Sequence, residues 1–296
     1  MNTLYVILTG VLVASACGVV GCFLVLRKMA MIGDAISHSV LPGIVIAFLI
    51  SGSRDSVAMM LGAAALGLLT VFLIQMFQQS GVQSDASIGV VFTALFAVGI
   101  MLVSLYTRNI DLDLDCVLYG EIAYVPWNTI ELLGVDIGPK AVWLVGLALV
   151  LNVAVIGLFY KQFKVCSFDP GLAAAVGIPV ALFHYLLMGL VSVTTVASFE
   201  SVGAILVVGM LVVPPLAAYL ITEVLSRMIV YSVLIGSASA VAGYYLAKWL
   251  DASIAASMIT VAGAFLMLAI LFSPTHGVVP RILRQKHRLQ QANSEI

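Results

Sequence analysis

From Met1 to Leu26 the chain carries no Asp, Glu, Lys or Arg, and the same silence recurs along most of its length. Stretches free of these four residues occupy 1–26, 35–53, 56–84, 86–107, 141–160, 170–199, 201–222, 228–247 and 252–280. About 20 apolar residues of helix cross a bilayer core, so each stretch is long enough to span. The runs are continuously apolar, whereas barrel strands alternate apolar and polar residues. Helices also satisfy their own backbone hydrogen bonds in hydrocarbon. The pattern predicts an all-α, polytopic bundle of eight or nine membrane helices. The count turns on "SFES" (198–201), which reads as a tight turn between two spans or a kink within one.

Composition supports this picture: 62% of residues are hydrophobic, 9% are charged and the mean hydropathy is +1.18. A soluble domain of this size requires far more charge on its surface. The net charge of −1 excludes a strongly basic nucleic-acid surface. With nine alternating spans and a cytoplasmic basic tail "RILRQKHR" (281–288), Arg27, Lys28, Lys161, Lys164 and Arg227 fall inside. Arg54, Arg108, Lys140 and Lys248 fall outside, nine basic residues against four, the bias expected of cytoplasmic loops. The N-terminus is then external; eight spans would reverse it. Residues 1–26 lack a basic leader and a cleavage site and read as a retained span. The transmembrane domain is placed at 1–280 and the basic cytoplasmic tail at 281–296.

Two connections interrupt the spans. Residues 107–139 hold six of the fourteen acids, including "DLDLD", and read as a solvated acidic loop. In "KQFKVCSFDPGLAAAVGIP" (161–179), Asp169 and Pro170 predict the start of a short helix, a capping acid before a first-turn proline, and Gly177 and Pro179 end it. Such a helix on the cytoplasmic face suits docking of another protein. Small residues in "GAAALG" (62–67) and "GSASAVAG" (236–243) predict close helix packing, and Pro214-Pro215 predicts a kink or break. Cys17, Cys22, Cys116 and Cys166 show no CxxC spacing and read as structural.

A chain that avoids charge nonetheless places Asp34 and His38 in "GDAISHSVLPG" (33–43). Spaced i and i+4, they share one helical face and can offer a carboxylate oxygen and an imidazole nitrogen to one divalent ion. Two ligands hold a metal poorly, but a symmetric pair of subunits would bring two of each to one axis. That donor set suits Mn²⁺, Zn²⁺ or Fe²⁺ better than Cu(I), with Ser37 and Ser39 as hydrogen-bonding supports. The alternative is that Asp34 caps its helix and His38 donates to it or to a carbonyl. Glu200 reads as an interfacial or capping acid, His184 as an interior or interfacial histidine, and His276 and His287 lie at or beyond the last span. There is no G-x-x-x-x-G-K-[ST] loop, G-x-S-x-G elbow or H-E-x-x-H pair, so neither a catalytic residue nor a permanently bound cofactor is expected.

On "LVLRKMAMIGDAISHSVLPGIVIAF" (24–48), "SDASIGVVFTALFAVGI" (84–100), "FDPGLAAAVGIP" (168–179) and "SVGAILVVGMLVVPPLAAYL" (201–220), the chain resembles the membrane permeases of ABC-type manganese, zinc or iron importers, the ABC-3 family. The resemblance places the translocated metal on Asp34 and His38. It assigns contact with the ATPase to a coupling element at about 168–178, with Asp169, Pro170, Gly171 and Gly177. The family's acid there is frequently followed by another, and here Pro170 and Gly171 follow Asp169. More distantly the chain is similar to the vitamin B12 and ferric siderophore permeases. The implied partners are a second permease subunit (homo- or heterodimer), cytoplasmic ATP-binding subunits and an extracytoplasmic metal-binding protein, in the bacterial cytoplasmic membrane. Rival readings are a permease for a metal chelate or vitamin, a proton-coupled transporter using Asp34, Glu200 and His38, and a membrane scaffold. Asp34 follows Lys28 by six residues, so either "MAMIG" already runs within the bundle or the ion sits low.

Overall fold

The computed structural model describes residues 2–51, 56–106, 122–132 and 135–273. Four long helices come first: α1 (Asn2–Leu26), α2 (Met31–Ser51), α3 (Ser56–Gln79) and α4 (Ser84–Tyr106). A 3₁₀ turn (Ile122–Trp127) and an antiparallel hairpin, β1 (Thr129–Leu132) with β2 (Val135–Pro139), lead into α5 (Lys140–Leu158). Two short helices, α6 (Tyr160–Phe168) and α7 (Pro170–Ala175), precede α8 (Val180–Val202), α9 (Ala204–Ile221), α10 (Leu225–Leu250) and α11 (Ile254–Phe272). Among the described residues nine helices are long and apolar enough to cross a membrane.

Contacts define the two ends of the bundle. Arg27, just past α1, donates to Ser167 of α6, and Cys22 of α1 packs with Ala218 of α9 and Met228 of α10. The side chain of Ser273, after α11, reaches the carbonyl of Leu220. This basic end therefore gathers Arg27, Lys28, Lys161, Lys164 and Arg227. At the opposite end Thr3 accepts from the Tyr244 hydroxyl. The sequences of Arg54, Arg108, Cys116, "DLDLD", His276, His287 and the 281–296 tail lie outside the described residues.

Of the two readings of "SFES" the turn between two spans holds, but two residues later: Phe199 to Val202 continue α8, and the chain turns at Gly203, whose φ of 79° suits glycine. Counting charges misplaced the break because Glu200 lies inside a helix. α8 leaves the basic end and α9 returns to it. Pro214 and Pro215 do not break α9. They do remove the amide donors that Met210 and Leu211 carbonyls would otherwise accept, and α1 crosses there with Gly21, where a Cβ would overlap the Leu211 carbonyl oxygen. The hairpin at 129–139 was not foreseen in what the sequence presents as an acidic loop.

Small residues set the helix spacing because lipid supplies no hydrophobic drive between helices. A Cβ on Gly43 of α2 would lie 2.5 Å from the Gly62 carbonyl oxygen of α3, and one on Gly62 would lie 2.6 Å from that of Gly43. Backbone thus meets backbone at the α2–α3 crossing. The other singled-out stretch behaves alike: Gly236 faces Ala14 of α1, and Gly243 faces Met258 of α11. Replacing Gly43 with Leu is expected to destabilise the protein by about 1–3 kcal/mol, read as a lower thermal midpoint in detergent. Gly146→Leu, where a Cβ meets nothing within 4 Å, should leave it unchanged; equal midpoints for both variants would refute the close crossing.

Candidate metal centre

Over residues 31–43, helix α2 presents all but one stripe to its neighbours. Ile32, Gly33, Ala35, Ile36, Ser37, Ser39, Val40, Pro42 and Gly43 are buried, whereas Met31, Asp34, His38 and Leu41 are exposed or half-exposed. The stripe recurs every three or four residues, the period of one helical face. Three close contacts fix its orientation. Gly33 lies against the Leu211 side chain of α9, Gly43 against Gly62 of α3, and Gly99 of α4 against the Pro42 ring.

Within the stripe, His38 Nε2 lies 3.5 Å from Asp34 Oδ1. The side chains keep 27% and 37% of their surface exposed, so the pair is open on one side. Asp34 lies in the first turn of α2. An ion about 2.1 Å from each of two donors this far apart would see them at about 110°, close to a tetrahedral angle. Among the described residues no group of three or more His, Cys, Asp or Glu side chains comes together. As a metal centre the pair would supply two ligands and would need the others from outside the described residues or from water.

The imidazole is held by aromatic rings. Its centroid lies 5.3 Å from that of Phe92 and 5.5 Å from that of Phe96, both on α4. Nδ1 is buried with no hydrogen-bond partner, which leaves Nε2, beside Asp34, as the nitrogen that can meet an ion. Ligating histidines commonly donate their second N–H to a carboxylate or carbonyl, which orients the ring and strengthens the bond. Here aromatic packing does the orienting without that strengthening. Phe92 and Phe96 were not singled out in the sequence, where an i, i+4 aromatic pair in an apolar run looks like any packing pair.

Ser37 and Ser39 use their hydroxyls elsewhere. Ser37 donates to the Gly33 carbonyl and Ser39 to that of Ile36, while Ser39 accepts from Thr70 of α3 at 2.7 Å. This last bond also gives the depth of the site. Thr70 precedes the end of α3 by nine residues, about 14 Å of helix. Phe92 and Phe96 lie eight and twelve residues into α4, about 12 and 18 Å. His38 thus lies at mid-length of its neighbours, with Asp34 about one helical turn nearer the basic end, because α2 begins beside Leu211 in the middle of α9.

The remaining candidates lie apart from the pair. Asp169 Oδ1 accepts from the Leu172 amide at 2.9 Å, capping α7 with Pro170 in its first turn. Gly177, at φ 85°, ends the element; Asp169, Pro170, Gly171 and Gly177 are all exposed. His184 lines a cavity with Arg27 at the basic end. Glu200 occupies the last turn of α8, and its side chain is outside the described residues. Cys17, Cys22 and Cys166 are buried free thiols.

The profile of the ABC 3 transport family matches residues 2–273. The chain is 58% identical over 280 residues to "Manganese transport system membrane protein MntD" of Bacillus subtilis, covering 95% of each. It is 42% identical over 282 residues to "Zinc transport system membrane protein TroD" of Treponema pallidum, covering 95% of this chain and 77% of that one. Among solved structures, "PsaBC from Streptococcus pneumoniae in complex with Fab" superposes with a TM-score of 0.79 at 31% identity, over 95% of this chain and 94% of that one. An inward-facing metal-chelate type ABC transporter shares the fold, with a TM-score of 0.64 at 17% identity over 90% and 85% of the two chains.

If aromatic packing orients His38, Phe96→Ala should weaken the binding of divalent ions by roughly tenfold, as titrated calorimetrically on the purified protein. Phe72→Ala, at an exposed position of α3, is the control; the same affinity in both variants would dismiss the aromatic clamp.

Proposed function

Because the chain belongs to the ABC 3 transport family, we propose that it is the membrane permease of an ATP-driven importer that carries Mn²⁺, Zn²⁺ or Fe²⁺ through a station built from Asp34 and His38. The observation that carries this reading is the carboxylate–imidazole pair 3.5 Å apart on the one open stripe of α2. Ionisable groups within a membrane bundle are costly unless paired, hydrated or functional. Manganese and zinc are the cargoes named for the relatives.

Two ligands bind weakly, and a half-open pair is suited to completion by another subunit. A second permease, identical or related, set about a shared axis would supply a further Asp and His. Four borderline or hard donors select a divalent ion over Cu(I). The missing acceptor at His38 Nδ1 keeps the grip moderate, as transport requires entry and release. A chelate or vitamin permease would instead need a wide cavity at this level. The acid and imidazole at ligand spacing favour the bare ion.

The basic end is assigned to the cytoplasm by the positive-inside bias, in a bacterial inner membrane. An extracytoplasmic metal-binding protein would deliver the ion at the opposite end. ATP hydrolysis is assigned to separate cytoplasmic subunits that press on α7. Phe168, Leu172 and Val176 expose 55%, 53% and 69% of their surface around this element, an apolar knob beyond the spans that suits a groove on a partner.

Asp34→Ala and His38→Ala should each abolish ATP-dependent uptake of radioactive Mn²⁺, Zn²⁺ and Fe²⁺ by the reconstituted complex, with assembly of the subunits unchanged. Full uptake by both would refute the station. Leu172→Asp should leave metal binding intact and separate the ATPase from the permease on size-exclusion chromatography; co-elution with coupled uptake would reject the docking role of α7.

A further inference from the structure

At the basic end a cavity of about 480 Å³ opens between the α1–α2 turn, α3, α6 and the start of α8. Arg27, Lys28 and His184 line it, and no carboxylate does. Arg27 Nε donates to Ser167 Oγ at 3.1 Å. Its Nη2 is buried with no partner, as is Oε1 of Gln75 on the α3 wall. A buried guanidinium nitrogen without an acceptor is a strong unfilled donor. Burial pushes the Arg27 guanidinium below its ordinary value, but an arginine stays charged in proteins. Apart from the Gln75 amide oxygen, which calls for a donor, the cavity is a cationic space whose charge no lining carboxylate balances.

The mouth indicates which anion. Leu26 ends α1 and Val180 begins α8, and both line the cavity with Met29 and Ala181. The opening lies on the basic side of the bundle, where α1 ends and α8 begins, with apolar side chains beside basic ones. A guanidinium fork matches phosphate oxygens, and basic pockets between helices at the cytoplasmic face hold anionic headgroups. We propose that this cavity binds a phosphate group carried by an anionic phospholipid, with Arg27 as its principal donor and the acyl chains leaving over the apolar rim. Ser167 and Pro170 line the same space, so the bound headgroup touches both the turn into α2 and the α6–α7 element.

The test is native mass spectrometry of the full complex in detergent, with dioleoyl phosphatidylglycerol and dioleoyl phosphatidylcholine as probes. The wild type should retain phosphatidylglycerol in preference. Arg27→Gln should lower retention roughly tenfold, and Lys248→Gln, at the far end of α10, should not. Ala181→Trp narrows the mouth with every charge kept and should also lower it, which covers misassembly of the arginine variant. Equal retention by the wild type, Arg27→Gln and Ala181→Trp overturns the proposal. Retention of inorganic phosphate but not lipid, lost in Arg27→Gln, keeps the phosphate site and overturns its lipid source. A cross-link from position 28 to an acidic segment of a partner protein, with lipid retention indifferent to Arg27→Gln, overturns both.

Discussion

The structure depends on how closely α2 is allowed to approach its neighbours. Gly33 lies on Leu211, Gly43 on Gly62 and Pro42 under Gly99, so α2 is fixed at three points along its length by groups with no room for a Cβ or a shift. Lipid does not drive such contacts; dispersion between surfaces that fit does. Once α2 is fixed, its rotation is fixed, and over residues 31–43 only Met31, Asp34, His38 and Leu41 are left toward open space. The placement of Asp34 and His38, the station proposed for the ion, follows from packing on the other faces of the helix.

The same packing explains the depth and strength of the site. Leu211 is braced between two glycines, Gly21 of α1 and Gly33 of α2, where the proline pair has freed carbonyls of α9. The start of α2 is thereby held beside the middle of α9, so His38, one turn further on than Asp34, reaches mid-length of α4. Its partner imidazole rests on phenylalanines instead of a hydrogen-bond acceptor. A ligand positioned but not strengthened fits a site that must let go.

Much of the fold was legible because a bilayer makes charge rare. Each span is a charge-free run, and the i, i+4 spacing of Asp34 and His38 survives as a pair in space. Where charge misled, the reason is local. Glu200 sits in a helical last turn, so the break appeared three residues early, and the positive φ of Gly203 marks the true turn. The Asp34 depth could not be read from distance to Lys28, since that needs the length of neighbouring helices. Ser37 and Ser39 looked like supports for the ion pair, but their hydroxyls bond to backbone and to Thr70. Arg27 carried only a topological meaning in the sequence; its unpartnered nitrogen is visible only once α3, α6 and α8 surround it.

The central claim is that an imidazole nitrogen and a carboxylate from α2 hold the ion together during its passage. Pulsed electron paramagnetic resonance on Mn²⁺ bound to the assembled complex, with histidine labelled by ¹⁵N, tests it directly. The account predicts a ¹⁵N coupling from directly bound imidazole that disappears when His38 is replaced. An ion coordinated only by oxygen, or a nitrogen coupling indifferent to His38, would contradict it.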